Sequence, residues 1–236
     1  HTVVTRIAVL GAECTGKTQL TQALQHSYLQ SGATAVVVPE VLRSWCDNAG
    51  RTPQAHEQAQ IAHAQAAALE QAIASIAQRA PLGPALPRPA AQNALAISDT
   101  SALMTAVYSD VLFNDVSLYP WALAQQRQFD LTLVMGLDLP WVGDGIQRDG
   151  PHVQLQIDAR LRQVLERHGV VYSVVYGAGA RRLECALQAL SHQRAASEAS
   201  VAHTPSHWQW SCEKCSDAGC EHQLFSALLR TDSVRH

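Results

Sequence analysis

The residues best suited to chemistry lie near the amino terminus, in an octet of the form G-x-x-x-x-G-K-[ST]. In order, they are Gly11, Ala12, Glu13, Cys14, Thr15, Gly16, Lys17 and Thr18. This pattern predicts a phosphate-binding loop (P-loop), because its glycines let backbone N–H groups converge on phosphate oxygens. Lys17 would reach the β- and γ-phosphates of ATP, and Thr18 would bind Mg²⁺. An apolar run before the octet and a helical pattern after it favour a P-loop over a chance glycine turn.

A carboxylate and an arginine follow the second predicted strand. Glu40 and Arg43 come after the apolar run 33–38, at a point where ligands bind in open parallel sheets. Glu40 could bind a substrate and orient or deprotonate its hydroxyl, with Arg43 near phosphate. The alternative is an i,i+3 ion pair at the start of a helix, and the residues alone leave both open.

An acidic residue follows the third predicted strand, 94–98. Asp99 then takes the Walker-B-like position, where a carboxylate holds Mg²⁺ directly or through water. It could also cap the helix from Ser101, and the two roles are compatible. Either Glu40 or Asp99 could be the base.

The stretch 137–150, which has three glycines and Pro140 and is followed by Pro151, is predicted to be a mobile lid. Arg148 is its candidate for stabilising transition-state charge, the alternative being a solvated loop charge. Trp141 could stack on a base or pack the lid.

The segment 177–182 follows the fifth predicted strand and opens another helix. In P-loop kinases the loop after the last strand borders the adenine, and glycines here would permit close backbone approach. Gly177 and Arg181 are therefore predicted to bind the nucleotide.

Three cysteines and a histidine cluster near the carboxyl terminus in the spacing C-x2-C-x4-C-x-H. They are Cys212, Cys215, Cys220 and His222. Three thiolates and one imidazole suit tetrahedral Zn²⁺, so a structural zinc site is expected, with a chance cluster of free thiols as the alternative.

The elements that must position these residues alternate between strand and helix patterns, which predicts an α/β protein. The predicted strands cover 3–10, 33–38, 94–98, 131–135 and 170–175, and the predicted helices cover 19–29, 53–78, 102–113, 117–128, 153–168 and the stretch from 177 to 194. We expect a P-loop NTPase three-layer αβα sandwich with a five-stranded parallel sheet. The domains would be a kinase domain over 1–194, a linker over 195–206, and a Cys-rich segment with a short helix over 207–236.

Composition excludes several classes of protein. The 236 residues carry a net charge of −3 without a basic stripe, so nucleic acid is not an expected partner. The sequence has no run of about twenty apolar residues, so no membrane span is predicted. The six cysteines form no disulfide framework and no signal-peptide pattern is present, which favours a reducing, cytoplasmic location. The oligomeric state is not predicted.

Four stretches together resemble the ribosylnicotinamide kinase domain of the bifunctional NadR-type NAD-biosynthesis proteins. They are GAECTGKT at 11–18, PEVLR at 39–43, DTSALMT at 99–105 and FDLTLVMGLDLPWVGDGIQRDG at 129–150. The resemblance runs from about residue 6 to 190, and its most specific part is the stretch 140–148. That family usually has Ser where Cys14 stands and often a second Asp where Ser101 stands.

The resemblance implies a nucleoside-kinase-like fold and transfer of the ATP γ-phosphoryl group to the ribose 5′-hydroxyl of N-ribosylnicotinamide, giving nicotinamide mononucleotide. Its partners would be ATP, Mg²⁺ and a nucleoside-like small molecule. Lys17 and Arg148 would supply charge, and Trp141 and Asp144 would belong to the substrate site. The alternatives are a kinase of another nucleoside or small metabolite, and a nucleotide-switched regulatory module.

Overall fold

The computed structural model describes residues 4–79, 94–140 and 151–202. Its strands are β1 (Val4–Leu10), β2 (Thr34–Val38), β3 (Ala94–Asp99), β4 (Leu131–Met135) and β5 (Ser173–Val175). They form one sheet in the order β2-β3-β1-β4-β5, and every neighbouring pair is parallel. β3 is buried along its whole length, as expected of an apolar strand covered by helices on both faces.

The helices of these described ranges are α1 (Lys17–Gln30), α2 (Val41–Ala49), α3 (Gln58–Arg79), α4 (Ala102–Phe113), α5 (Tyr119–Gln126), α6 (Pro151–Arg167) and α7 (Gly179–Ala202), with a 3₁₀ turn at Ala55–Glu57. None of them is long and apolar enough to cross a membrane.

The core lies on both faces of the sheet. Successive side chains of β1 point to opposite faces, so Ile7 packs in the cluster with α1 and α7 while Ala8 packs in the cluster with α4, α5 and α6. The helices therefore form two layers around the sheet. This arrangement confirms the predicted three-layer α/β P-loop fold.

The strand register brings two candidate segments together. β1 pairs with β3 so that Val9 lies opposite Asp99, and the P-loop begins two residues after Val9. Asp99 therefore lies next to the chain that leads into the P-loop, as its position at the end of a strand predicts.

Several boundaries differ from the predicted ones. The 3₁₀ turn starts the long third helix after a capping box between Gln54 and Glu57, so α3 begins at Gln58. β5 begins at Ser173, since Val171 before it is 83% exposed. α7 continues to Ala202, across the first eight residues of the predicted linker 195–206, because alanine favours helix and nothing in that stretch breaks one.

The division into domains stays a prediction. The segment 207–236, with its four candidate zinc ligands, lies outside the described residues.

Candidate active site

The P-loop joins β1 to α1 through a backbone with three positive φ angles. They are +151° at Gly11, +60° at Cys14 and +80° at Gly16. A Cβ at Gly11 would lie 2.9 Å from the Cβ of Met135, so only glycine fits beside β4 there. α1 begins directly after Gly16, which has no side chain to cap it. The first N–H groups of α1 are therefore suited to binding an anion.

Lys17 is held on the loop that precedes it. Its ammonium donates hydrogen bonds of 3.0 Å to the backbone carbonyls of Gly11 and Ala12, and the residue is 8% exposed. These bonds keep the positive charge at the loop, where it can meet a phosphate group.

Thr18 and Asp99 meet beside the P-loop. The Thr18 hydroxyl donates a 2.6 Å hydrogen bond to Oδ2 of Asp99, which is 3% exposed. The other oxygen, Oδ1, is buried and has no hydrogen-bond partner among the described residues. A buried carboxylate oxygen without a partner is unfavourable unless a cation or a donor binds it.

This pair fits Mg²⁺, which takes hard oxygen ligands and keeps several water or phosphate oxygens in its shell. The described residues contain no group of three or more His, Cys, Asp or Glu that could hold a metal on their own. A site with two protein oxygens matches the way Mg²⁺ is held with nucleotide phosphates.

Ser101, and not Asp99, caps the helix that follows β3. The hydroxyl of Ser101 accepts from the Leu103 N–H at 3.2 Å and donates to Oε1 of Gln126 at 2.6 Å. Thr100 between them has φ +80°, a strained value for a β-branched residue. The chain thus turns sharply after Asp99, so the carboxylate stays at the sheet edge while Ser101 joins a buried polar network.

Glu40 and Arg43 form the i,i+3 ion pair that the sequence left as one alternative. Arg43 Nη2 lies 3.3 Å from Glu40 Oε2, and their side chains are 55% and 15% exposed. Because the arginine is largely exposed, the pair contributes little to stability. The pair therefore leaves the substrate role of Glu40 open.

The buried amide of Gln65 holds the turn that carries Glu40. Its Oε1 accepts from the Val41 N–H at 2.8 Å, and its Nε2 donates to the Pro39 carbonyl at 3.3 Å. Glu40 is thus fixed from both neighbours by a side chain of α3. The sequence carried no signal for Gln65, which is one of many glutamines in that helix.

Tyr108 is a second residue that sequence analysis missed. Burial raises its pKa well above the ordinary value, and the negative charges of Glu13 and Glu40 raise it further. Its hydroxyl therefore lies near both carboxylates, and it makes a hydrogen bond with the Glu13 backbone. Gln154 of α6 donates to the Glu13 carbonyl at 2.7 Å. The structure thus brings α4 and α6 to the third residue of the P-loop.

Two adjacent arginines at the start of α7 have separate environments. Arg181 is exposed and lines a cavity of about 400 Å³ with Asp138, Tyr176, Gly177, Glu184, Cys185 and Gln188. Arg182 is 4% exposed and donates hydrogen bonds to the Thr15 carbonyl and to Asp138. Arg181, the predicted nucleotide-binding residue, thus lines the cavity, while its neighbour Arg182 contacts the P-loop.

The three lid candidates, Trp141, Asp144 and Arg148, lie outside the described residues. The same holds for Cys212, Cys215, Cys220 and His222.

Comparisons with known proteins agree with this fold. A family model described as an AAA domain matches residues 6–182. Among solved structures, "Crystal structure of NadR protein in complex with NR" matches with a TM-score of 0.60 and 19% identity, covering 80% of this chain and 50% of that one. The chain thus spans half the length of that protein, and the resemblance to NadR-type proteins is confirmed at the level of the fold. No curated protein matches the chain.

Proposed function

We propose, since the chain belongs to the AAA domain family whose model matches residues 6–182, that it is an ATP-dependent kinase of N-ribosylnicotinamide. The reaction would transfer the γ-phosphoryl group to the ribose 5′-hydroxyl and give nicotinamide mononucleotide. The observation that carries the proposal is the Thr18–Asp99 contact beside the P-loop, with one carboxylate oxygen of Asp99 buried and unsatisfied among the described residues.

On the donor side, the chain's own residues would bind and orient the triphosphate. The backbone N–H groups of 11–18 would surround phosphate oxygens, and Lys17 would neutralise charge on the β- and γ-phosphates. Thr18 and Asp99 would hold Mg²⁺, which supplies further charge neutralisation when bound. The cavity beside Gly177 would take the adenine base.

On the acceptor side, the 5′-hydroxyl oxygen would attack the γ-phosphorus while the bond from that phosphorus to the β–γ bridging oxygen breaks, so that ADP leaves. The hydroxyl proton would go to the carboxylate of Glu40 or of Asp99. Glu40 is held by its neighbours' hydrogen bonds to Gln65, which supports an orienting role. Tyr108, near Glu13 and Glu40, adds a neutral hydrogen-bonding group to the same region.

We further propose a lid over the acceptor, which would be formed by Trp141, Asp144 and Arg148. Trp141 would stack on the base, and Arg148 would stabilise charge in the transition state. A cytoplasmic location and a structural zinc site in the tail stay predictions from the sequence.

The test is a panel of nucleosides supplied with ATP and Mg²⁺, with ADP release and the phosphorylated product measured together. We expect release that depends on N-ribosylnicotinamide, with product equal to ADP, and loss of turnover by orders of magnitude in Lys17→Ala. Release that follows another nucleoside would reassign the acceptor. ADP release that no acceptor changes would refute the kinase and favour a nucleotide-switched module.

A further inference from the structure

The contact between α7 and the P-loop links two parts of the site that the sequence separates widely. Arg182 Nη1 donates to the Thr15 carbonyl inside the P-loop, and Nη2 donates to Oδ1 of Asp138 at 2.5 Å. Asp138 follows β4, and its Oδ2 accepts from the Gly177 N–H at 2.5 Å. A chain of three hydrogen bonds therefore runs from the P-loop through Arg182 and Asp138 to Gly177.

Both ends of this chain are ligand-binding candidates. Asp138 and Gly177 line the cavity of about 400 Å³, while Thr15 belongs to the phosphate loop. Arg182 also packs directly on the turn before Lys17, since a Cβ at Gly16 would lie 3.1 Å from Arg182 Nη1. A shift of the guanidinium would therefore move the part of the loop that carries Lys17.

Stability alone does not explain this arrangement. Arg182 is 4% exposed, and its buried Nε lacks a hydrogen-bond partner within the described part of the chain. A buried guanidinium with an unsatisfied donor often costs as much in desolvation as its ion pair returns in attraction, and here the Asp138 side chain is 31% exposed, which weakens that attraction. The Arg182–Asp138 ion pair is better explained by the geometry that it imposes on the P-loop and on the segment after β4.

We propose that Arg182 and Asp138 are positioning residues that couple the cavity beside Gly177 to the P-loop. A base in that cavity holds Gly177 and Asp138 in place, and Asp138 then holds Arg182 against Thr15. Occupancy of the cavity thereby strengthens binding of the triphosphate, and the coupling acts equally in the reverse direction. This inference rests on the proposed function, because it takes ATP as the ligand.

The test compares two ligands that share the phosphate chain. MgATP carries a base, and inorganic tripolyphosphate with Mg²⁺ does not. The measured quantity is the ratio of their dissociation constants by calorimetry, in the parent and in Asp138→Asn. We expect the variant to lose about tenfold in ATP affinity, as for one charge-assisted hydrogen bond, and to bind tripolyphosphate within about twofold of the parent. Arg182→Lys should also reduce the preference for ATP, since one ammonium does not reproduce the planar fork.

Asp110→Asn is the matched control. Like Asp138, Asp110 is a carboxylate with two donors, since it accepts from Arg160 and from the Tyr119 hydroxyl at 2.8 Å; it is 6% exposed. It lies on α4, in the helix layer on the opposite face of the sheet from α7. Both dissociation constants should stay at the parent values there.

An unchanged ratio in Asp138→Asn and Arg182→Lys would overturn the coupling, and so would an equal loss of affinity for both ligands. Neither result would touch the proposed function, which stands or falls on acceptor-dependent ADP release. If Asp138→Asn does not fold, Arg182→Lys alone decides the question by the same ratio.

Discussion

Replacing Asp99 by asparagine should abolish Mg²⁺-dependent stabilisation by ATP without lowering the stability of the ligand-free fold. The parent carboxylate is 3% exposed, accepts one 2.6 Å hydrogen bond from Thr18 and leaves Oδ1 unsatisfied among the described residues. Removing the charge relieves a desolvation cost of about 1–3 kcal/mol and weakens the Thr18 bond by about 1 kcal/mol. The net expectation runs from no change to about 2 kcal/mol of stabilisation.

Thermal unfolding measures both sides of this prediction. Without ligand, the midpoint of Asp99→Asn should stay level or rise by up to roughly 4–8 °C, since about 1 kcal/mol corresponds to about 2–4 °C at this chain length. ATP at a hundred times its dissociation constant stabilises a protein by about 2.7 kcal/mol. The part of that shift which needs Mg²⁺ should disappear in the variant.

Asp130→Asn is a suitable control. Asp130 accepts from the Arg6 N–H at 2.7 Å just before β4, at the amino ends of the strands and therefore away from the P-loop. It should keep the Mg²⁺-dependent shift. Destabilisation of Asp99→Asn by more than about 2 kcal/mol would make Asp99 a structural anchor. An intact Mg²⁺-dependent shift in the variant would refute the metal site.

Three further outcomes are expected. Glu40→Gln should bind ATP as the parent does but phosphorylate the acceptor more slowly, by about 10²–10⁴-fold if Glu40 is the base, and unchanged acceptor turnover would make it structural. The hydrogen bonds from Arg51 lower the pKa of Glu57 to about 2, from an ordinary 4.5, so the stability that this pair contributes is present above pH 4.5 and lost as the pH falls through about 2. The difference in unfolding free energy between the parent and Glu57→Gln should shrink over that interval, and a difference that stays constant would contradict the assignment. Elemental analysis of untagged protein should find one zinc per chain; less than about a tenth, with three titratable tail thiols, would show ordinary cysteines.

The parts of the site that sequence analysis predicted are those encoded by neighbours in the chain. The P-loop is a local pattern between a strand and a helix, and Asp99 is the last residue of β3, whose carboxyl end lies where ligands bind in a parallel sheet. The positions of the P-loop and of Asp99 both depend on the order of strands and helices, which hydrophobic periodicity predicts.

The residues that it missed act over long sequence distances. Arg182 contacts Thr15 across 167 positions, and Gln154 contacts Glu13 across 141. Such contacts depend on how helices pack on the sheet, and one step along a helix turns a side chain by about 100°. Which of Arg181 and Arg182 contacts the P-loop therefore depends on the rotation of α7 about its axis, and no sequence motif predicts that rotation.

The central position of β1 has a consequence for how this site can fail. β1 is paired on both edges, with β3 and β4, and its side chains belong to the cores on both faces. A segment enclosed in this way exchanges its amide hydrogens only when the whole domain opens. The strand that carries the P-loop thus has no local unfolding route of its own. Proteolysis or chaperone capture where β1 leads into the P-loop would therefore report global unfolding. A substitution that destabilises the packing of either helix layer would also affect the nucleotide site, because both layers pack on β1.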